Sequence, residues 1–211
     1  MGKKIIIWDW NGTLLNDVQM CVNCMNVLLG KRHLTRLSLE TYRSVFNFPV
    51  KDYYEEIGFD FSREDFEIPA MEFMDLYHRF LPETELFPCA EEVLEYFEKR
   101  GYRQLILSAM EHNSLMKTLE EKRILNYFDA VSGIDNIYAG SKQEMARAFL
   151  DSLGLNNHDM VLVGDTLHDR EVAQALGIDY LLVAAGHQSK SRLLEKTDKV
   201  VDRLSEAAEN L

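Results

Sequence analysis

The sequence predicts an α/β fold, a parallel β-sheet with helices on both faces, plus an all-helical block inserted near its start. Three observations predict it. The run Ile5-Ile6-Ile7-Trp8 ends in Asp9, and Gly12 follows three positions later, the pattern of a buried strand that stops in a tight turn. From Pro88 onward, apolar runs of strand length alternate with helical periodicity, and parallel strands need such crossover helices. Between these stretches, residues 16–86 carry helical spacings.

Taken in order, Asn16 is expected to cap a helix through Gly30, with Val18, Cys21, Val22, Met25, Leu28 and Leu29 on one apolar face. Ser38 caps a segment through Phe46, Pro49 suits a first helical turn that Gly58 ends, and Pro69 opens a helix through Leu81. The alternating part then reads as helix Pro88–Arg100, strand Arg103–Leu107 delivering Ser108, a helix from Asn113 and a weaker strand Ala130–Ser132. A helix capped by Ser141, strand Met160–Val163 ending at Gly164-Asp165, helix Glu171–Leu176, strands Asp179–Val183 and Lys199–Val201 and a terminal acidic helix complete it.

The 211 residues are 46% hydrophobic and 27% charged, the composition of a globular protein with a sizeable core. A formal charge of −12 repels nucleic acid and anionic membranes, so neither is an expected partner, and any bound phosphate needs local help. No run approaches the roughly 18 apolar residues of a membrane span, and the one after Lys3-Lys4 is too short for a secretory signal, so a cytoplasmic location is expected. Cys21 and Cys24 form a C-x-x-C inside a helical pattern with no second pair, which favours helix-face residues over a zinc or redox site.

Strands of one parallel sheet share a C-terminal edge, so Asp9, Ser108 and Asp165, with Asp169 just beyond, are expected in one crevice. Carboxylates crowded together raise one another's pKa unless a hard cation sits among them. Oxygen donors favour Mg²⁺ over zinc, for which no Cys/His set exists.

With these residues in place, the chain resembles the haloacid dehalogenase superfamily, in the branch with a helical cap after the first motif. That motif, D-x-D-G-T, stands here as Asp9-Trp10-Asn11-Gly12-Thr13; Ser108 matches the second, Lys142 the third, and Gly164, Asp165 and Asp169 the fourth. The resemblance covers nearly the whole chain. It implies a Rossmann-like core of residues 1–15 and 87–211 and a helical cap domain of residues 16–86. It also implies a Mg²⁺-dependent phosphatase acting on a small phosphorylated metabolite, of phosphoglycolate or sugar-phosphate type. In that scheme Asp9 is the nucleophile that forms an aspartyl-phosphate. The metal is held by Asp9, the Asn11 backbone carbonyl, Asp165 and Asp169. Ser108 and Lys142 meet the phosphoryl charge. Thr13, Ser108, Ala109 and Lys142, with Arg43, Phe46 and Phe48 from the cap, make up the expected substrate-binding set.

The departure from the family pattern is Asn11, where the phosphatases carry the acid that protonates the leaving group and activates water. General acid-base catalysis contributes on the order of 10²–10⁴ in rate, so its loss slows turnover without abolishing it. If the amide is the bottleneck, Asn11→Asp gives a large gain. The alternatives are a stalled module that binds a phosphorylated ligand, a phosphotransferase or mutase, and a phosphonate hydrolase. His112 is a poor substitute base, His168 and His187 read as surface or loop-packing residues, and monomer and homodimer stay open.

Overall fold

The computed structural model of the chain describes residues 5–134, 142–155 and 159–211, and of Lys142 the backbone alone. Strand β1 (Ile5–Trp8) is followed by four helices, α1 (Val18–Lys31), α2 (Leu39–Val45), α3 (Val50–Glu56) and α4 (Glu67–Phe80). Alternation then sets in: α5 (Ala90–Lys99), β2 (Arg103–Glu111), α6 (His112–Glu121), β3 (Ala130–Ile134), α7 (Lys142–Ser152), β4 (Met160–Gly164), α8 (Leu167–Leu176), β5 (Asp179–Val183), α9 (Lys190–Leu194), β6 (Val200–Val201) and α10 (Ala207–Asn210). These strands form one parallel sheet in the order β3-β2-β1-β4-β5-β6, the α/β architecture expected.

Because β1 is central, all four of its side chains are buried, and strand pleating sends them alternately to opposite faces. Ile6 and Trp8 pack with Leu94 and Phe97 of α5 and Leu115 of α6, whereas Ile5 and Ile7 pack with Ala146 of α7 and Val172 of α8. The Trp8 indole donates to Gln104 Oε1 at 3.0 Å, and Gln104 donates onward to the Leu94 carbonyl, so the polar atoms of these two side chains are paired. Truncating a buried aromatic such as Trp8 to alanine costs about 3–5 kcal/mol.

Helix starts differ from the sequence reading for local reasons. The helix assigned to an Asn16 cap begins at Val18, because Asp17 occupies the cap position while its carboxylate is taken by donors elsewhere. Helix α8 begins at Leu167, four residues earlier than expected, since Asp169 accepts from the Thr166 N–H and hydroxyl at 3.1 and 2.8 Å and secures the first turn. Strand β2 continues past Ser108 to Glu111, whose carboxylate accepts from the N–H groups of Asn113 and Ser114 and starts α6. The helices expected from Pro69 and Pro88 start at Glu67 and Ala90. Ser38 caps α2 and Gly177 ends α8 in the left-handed region, as expected. Ser141, the expected cap of α7, lies outside the described residues, as does the side chain of Lys142. No helix among the described residues is long and apolar enough to cross a membrane.

The helical block between β1 and α5 is entered and left by adjacent segments. The Phe87 N–H donates to the Leu14 carbonyl and the Asn16 N–H to the Glu85 carbonyl, both at 2.9 Å. Within it α1 packs on α4, and Tyr53, Tyr54, Phe59 and Phe66 form an aromatic cluster. Helix α2 and the residues after it are tied to the chain following β5. Ser189 N–H donates to the Arg43 carbonyl at 2.9 Å, Gln188 Nε2 to the Phe46 carbonyl at 3.0 Å, and Arg192 to the Ser44 carbonyl at 2.6 Å.

Candidate active site

Parallel pairing of β1 with both β2 and β4 brings Asp9, Ser108 and Asp165 to one edge of the sheet. Asp9, Asp165 and Asp169 are all buried, and an oxygen from each lies within 4.8 Å of the others. Burial pushes the Asp165 carboxyl up to about 7, with Asp169 and Asp17 pushing the same way against the pull of His187. The backbone approaches closely. A Cβ on Gly12, which sits at φ +73°, or on Gly186 would run into the Asp165 carboxylate, so only glycine fits at either position. Thr13 donates toward Asp165 Oδ1 at 3.3 Å, and the buried Ser108 hydroxyl accepts from the Met110 N–H at 3.0 Å, keeping its own proton to donate.

Beside these acids lies a network that the sequence reading passed over. Asp17 is fully buried and accepts from the Gly12 N–H at 2.9 Å, Asn11 Nδ2 at 2.8 Å, the Tyr77 hydroxyl at 3.0 Å and His187 Nε2 at 3.2 Å. Desolvation alone would raise its pKa, yet His187 and these hydrogen bonds hold it below the usual carboxylate range. His187 is accordingly not a surface or loop-packing residue. Burial would lower its pKa, but Asp17 reverses that and lifts the ring to about 9, so it is an imidazolium that also donates through Nδ1 to the Tyr42 hydroxyl at 2.9 Å. Its backbone N–H donates to Asp165 Oδ2 at 2.5 Å, joining the two groups of acids.

Asn11 is fixed by this network, its amide nitrogen donating to Asp17 and to the Tyr77 hydroxyl at 2.6 Å. Cys21 Sγ lies 3.8 Å from Asp17, and burial beside that carboxylate holds its thiol well above the ordinary range, which keeps it protonated. A signal for His187 exists in the sequence: Gly186-His187 follows the end of β5, which pairs with β4 and opens on the same edge. Tyr77 carries no such signal, because it sits on the buried stripe of an ordinary amphipathic helix.

A cavity of about 240 Å³ lies against Asp9, Asn11, Asp165 and Asp169. Phe46, Phe48 and Ala109, three of the candidate substrate-binding residues, line it. Arg43 does not line it: its guanidinium donates to the Ala185 carbonyl, a tie between α2 and the sheet edge. Thr13 and Ser108 lie behind the lining, and His112 at the start of α6 is also absent from it.

The sequence profile of the haloacid dehalogenase-like hydrolases matches residues 6–183, and the chain belongs to that family. Its relatives include phosphatases. The phosphoglycolate phosphatase of Nitrosospira multiformis is 25% identical over 212 residues, with 97% of this chain and 93% of the relative covered. That of Mesorhizobium japonicum is 24% identical, with 90% and 86% covered. Among solved structures, a haloacid dehalogenase-like hydrolase from Streptococcus pneumoniae superposes with a TM-score of 0.84 at 19% identity, covering 99% and 98% of the two chains. Protein Tyrosine Kinase A of Mycobacterium tuberculosis reaches a TM-score of 0.82 at 19% identity, covering 99% and 97%. A kinase by name and a hydrolase on one scaffold show that the shared fold does not fix the chemistry.

Proposed function

We propose that the chain is a Mg²⁺-dependent phosphatase that hydrolyses a small phosphate monoester through an aspartyl-phosphate on Asp9. The observation that carries this is the trio Asp9, Asp165 and Asp169, buried together with Asp165 raised toward neutrality. A hard divalent cation fits such a set of oxygen donors, and no soft ligand stands among them. Asp9, Asp165, the backbone carbonyl of Asn11 and Asp169, directly or through water, are the proposed ligands. Mg²⁺ bound there supplies positive charge against the carboxylates and the phosphoryl oxygens.

The Asp9 carboxylate attacks phosphorus in line, an Asp9 O–P bond forms as the ester P–O bond breaks, and water later cleaves the acyl phosphate to release inorganic phosphate. Ser108 donates to a phosphoryl oxygen with the proton it has kept, and Lys142, at the first residue of α7, offsets phosphoryl charge. Asn11 has no proton to transfer. With its nitrogen committed to Asp17 and Tyr77, its oxygen is left to accept a hydrogen bond from the leaving alcohol or the incoming water. The alcohol therefore takes its proton from water, which favours leaving groups of low pKa.

Residues 16–86 act as a cap, and the paired segments at Leu14–Asn16 and Glu85–Phe87 are where it joins the core. Hydrogen bonds from the chain around Ala185–Arg192 to α2 hold the cap over the sheet edge, where it excludes water from the phosphoryl group. The test is phosphate release from an aryl phosphate with Mg²⁺ present, lost on chelation and in Asp9→Asn. No release from a broad panel of monoesters would overturn the reading.

A further inference from the structure

The cavity against the carboxylates is the leaving-group pocket on the reading above, and its lining selects among esters. Its apolar lining is Phe46, Phe48, Phe73, Met74, Ala109 and Met110. Among the described residues no lysine or arginine lines it. Arg43, ahead of Phe46, donates to the Ala185 carbonyl, and Lys51 lies over the Phe61 ring at 5.6 Å. Of the histidines on the wall, His187 is held by Asp17 and Tyr42, and His168 stacks on Phe48 at 4.8 Å between centroids with Glu171 3.5 Å from its Nδ1. His78 is the third. Five acids share the lining: Asp9, Asp17, Glu111, Asp165 and Asp169.

A leaving group with its own carboxylate would meet an apolar wall on which, among the described residues, no lysine or arginine stands to pair with it, which is costly for a desolvated charge. Hydrocarbon would find the opposite. A second cavity of about 230 Å³ inside the helical block shares Phe46, Phe73 and Met74 with the first and is otherwise bounded by aliphatic and aromatic side chains such as Met25 and Val50. Met74 is an unbranched, adaptable side chain, so the partition between the two cavities can give way to a longer group. Phe48 and Met74 remain 37% and 44% exposed, so apolar surface on this wall is open to a ligand.

We propose that the substrate is a phosphomonoester of an apolar alcohol, aryl or medium-chain alkyl, whose hydrocarbon lies against Phe46, Phe73 and Met74, rather than phosphoglycolate or a sugar phosphate. Only its phosphate end rests on the phosphatase reading. The reaction needs no further reagent: the ester P–O bond breaks, water supplies the new oxygen on phosphorus and the proton on the alcohol, and the products are alcohol and inorganic phosphate.

The experiment compares binding and turnover separately. Calorimetric titration of the full chain with Mg²⁺ present measures n-hexylphosphonate against phosphonoacetate, two unhydrolysable ligands that differ in hydrocarbon and carboxylate. Each buried methylene is worth about fourfold in affinity, so hexylphosphonate is expected to bind at least tenfold tighter. In Met74→Arg, which puts a cation on the apolar wall, that ratio is expected to fall at least tenfold. Steady-state kcat/KM is expected to rank hexyl phosphate above ethyl phosphate and phosphoglycolate, the alkyl pair being matched in leaving-group pKa. Equal or tighter binding of phosphonoacetate to the unmodified chain, or no binding of hexylphosphonate at millimolar concentration, overturns the proposal. Preferential hexylphosphonate binding with no phosphate released from any ester would sustain the pocket assignment and sink the phosphatase reading instead.

Discussion

A single buried acid, Asp17, and a buried trio, Asp9, Asp165 and Asp169, stand side by side at the sheet edge, and the protein treats them in opposite ways. Around Asp17 it supplies the whole of the counter-charge and the donors, namely the His187 imidazolium, the Gly12 N–H, Asn11 and Tyr77, and the carboxyl is held below its usual range. Around Asp165, crowded by Asp169, the Thr13 hydroxyl and the His187 N–H donate, yet burial pushes the carboxyl up to about 7. The first arrangement completes itself. On the proposed reading a divalent cation completes the second, and the reacting phosphate is expected there.

The comparison is broken most directly by removing one carboxylate from each side. Asp9→Asn takes away the nucleophile and is expected to lower kcat by on the order of 10³-fold or more while leaving the urea midpoint of unfolding little changed. Asp17→Asn is expected to show the reverse balance. It leaves the buried His187 imidazolium without its anion and costs about 3 kcal/mol, read as a lower urea midpoint at unchanged slope. Should Asp17→Asn prove as stable as the parent, the idea of a self-contained charge pair fails.

How much of this was legible from the chain follows the same division. The strand-to-acid steps at Trp8-Asp9 and Gly164-Asp165 are local signals, since a short apolar run has few ways to end, and parallel pairing then forces the acids together. The sheet and most helices were readable for the same reason. The Asp17 network was not, because its members come from four separate elements: a turn, the start of α1, the last turn of α4 and the chain after β5. Periodicity assigns Tyr77 to the core stripe and Asp17 to a helix start, and both assignments are true without being the reason those side chains matter. The starts at Val18 and Leu167 were misplaced for different reasons: the Asp17 carboxylate is taken by partners off the helix, whereas Asp169 closes a capping box with Thr166 that periodicity does not register.

A smaller effect sharpens the metal half of the comparison. Saturating Mg²⁺ at about 100 times its dissociation constant stabilises a single-site protein by about 2.7 kcal/mol. Thermal scans of the parent are expected to move upward with Mg²⁺, while Asp165→Asn, which relieves the crowding by one charge, is expected to melt higher than the parent without the ion and to respond little to it. A full Mg²⁺ response in Asp165→Asn would remove that residue from the ligand set.

The last prediction concerns the boundary between the two groups, where Asn11 stands. From sequence alone Asn11→Asp promises a faster enzyme, because it restores the acid that the family's phosphatases carry. The geometry argues for the opposite, since a carboxylate at that position would lie where Nδ2 now sits 2.8 Å from Asp17 Oδ2, trading a donated hydrogen bond for a like-charge contact in a buried place. Asn11→Asp is expected to lose about 2 kcal/mol of stability and to gain no rate. The double variant Asn11→Asp with Asp17→Asn exchanges amide and acid, keeps one donor facing one acceptor, and is expected to recover more than half of the loss summed over the two single variants. A coupling energy near zero in that four-member cycle would mean that the two positions are independent. The amide at position 11 would then owe nothing to the acid at position 17, and the absence of a proton donor beside Asp9 would need another cause.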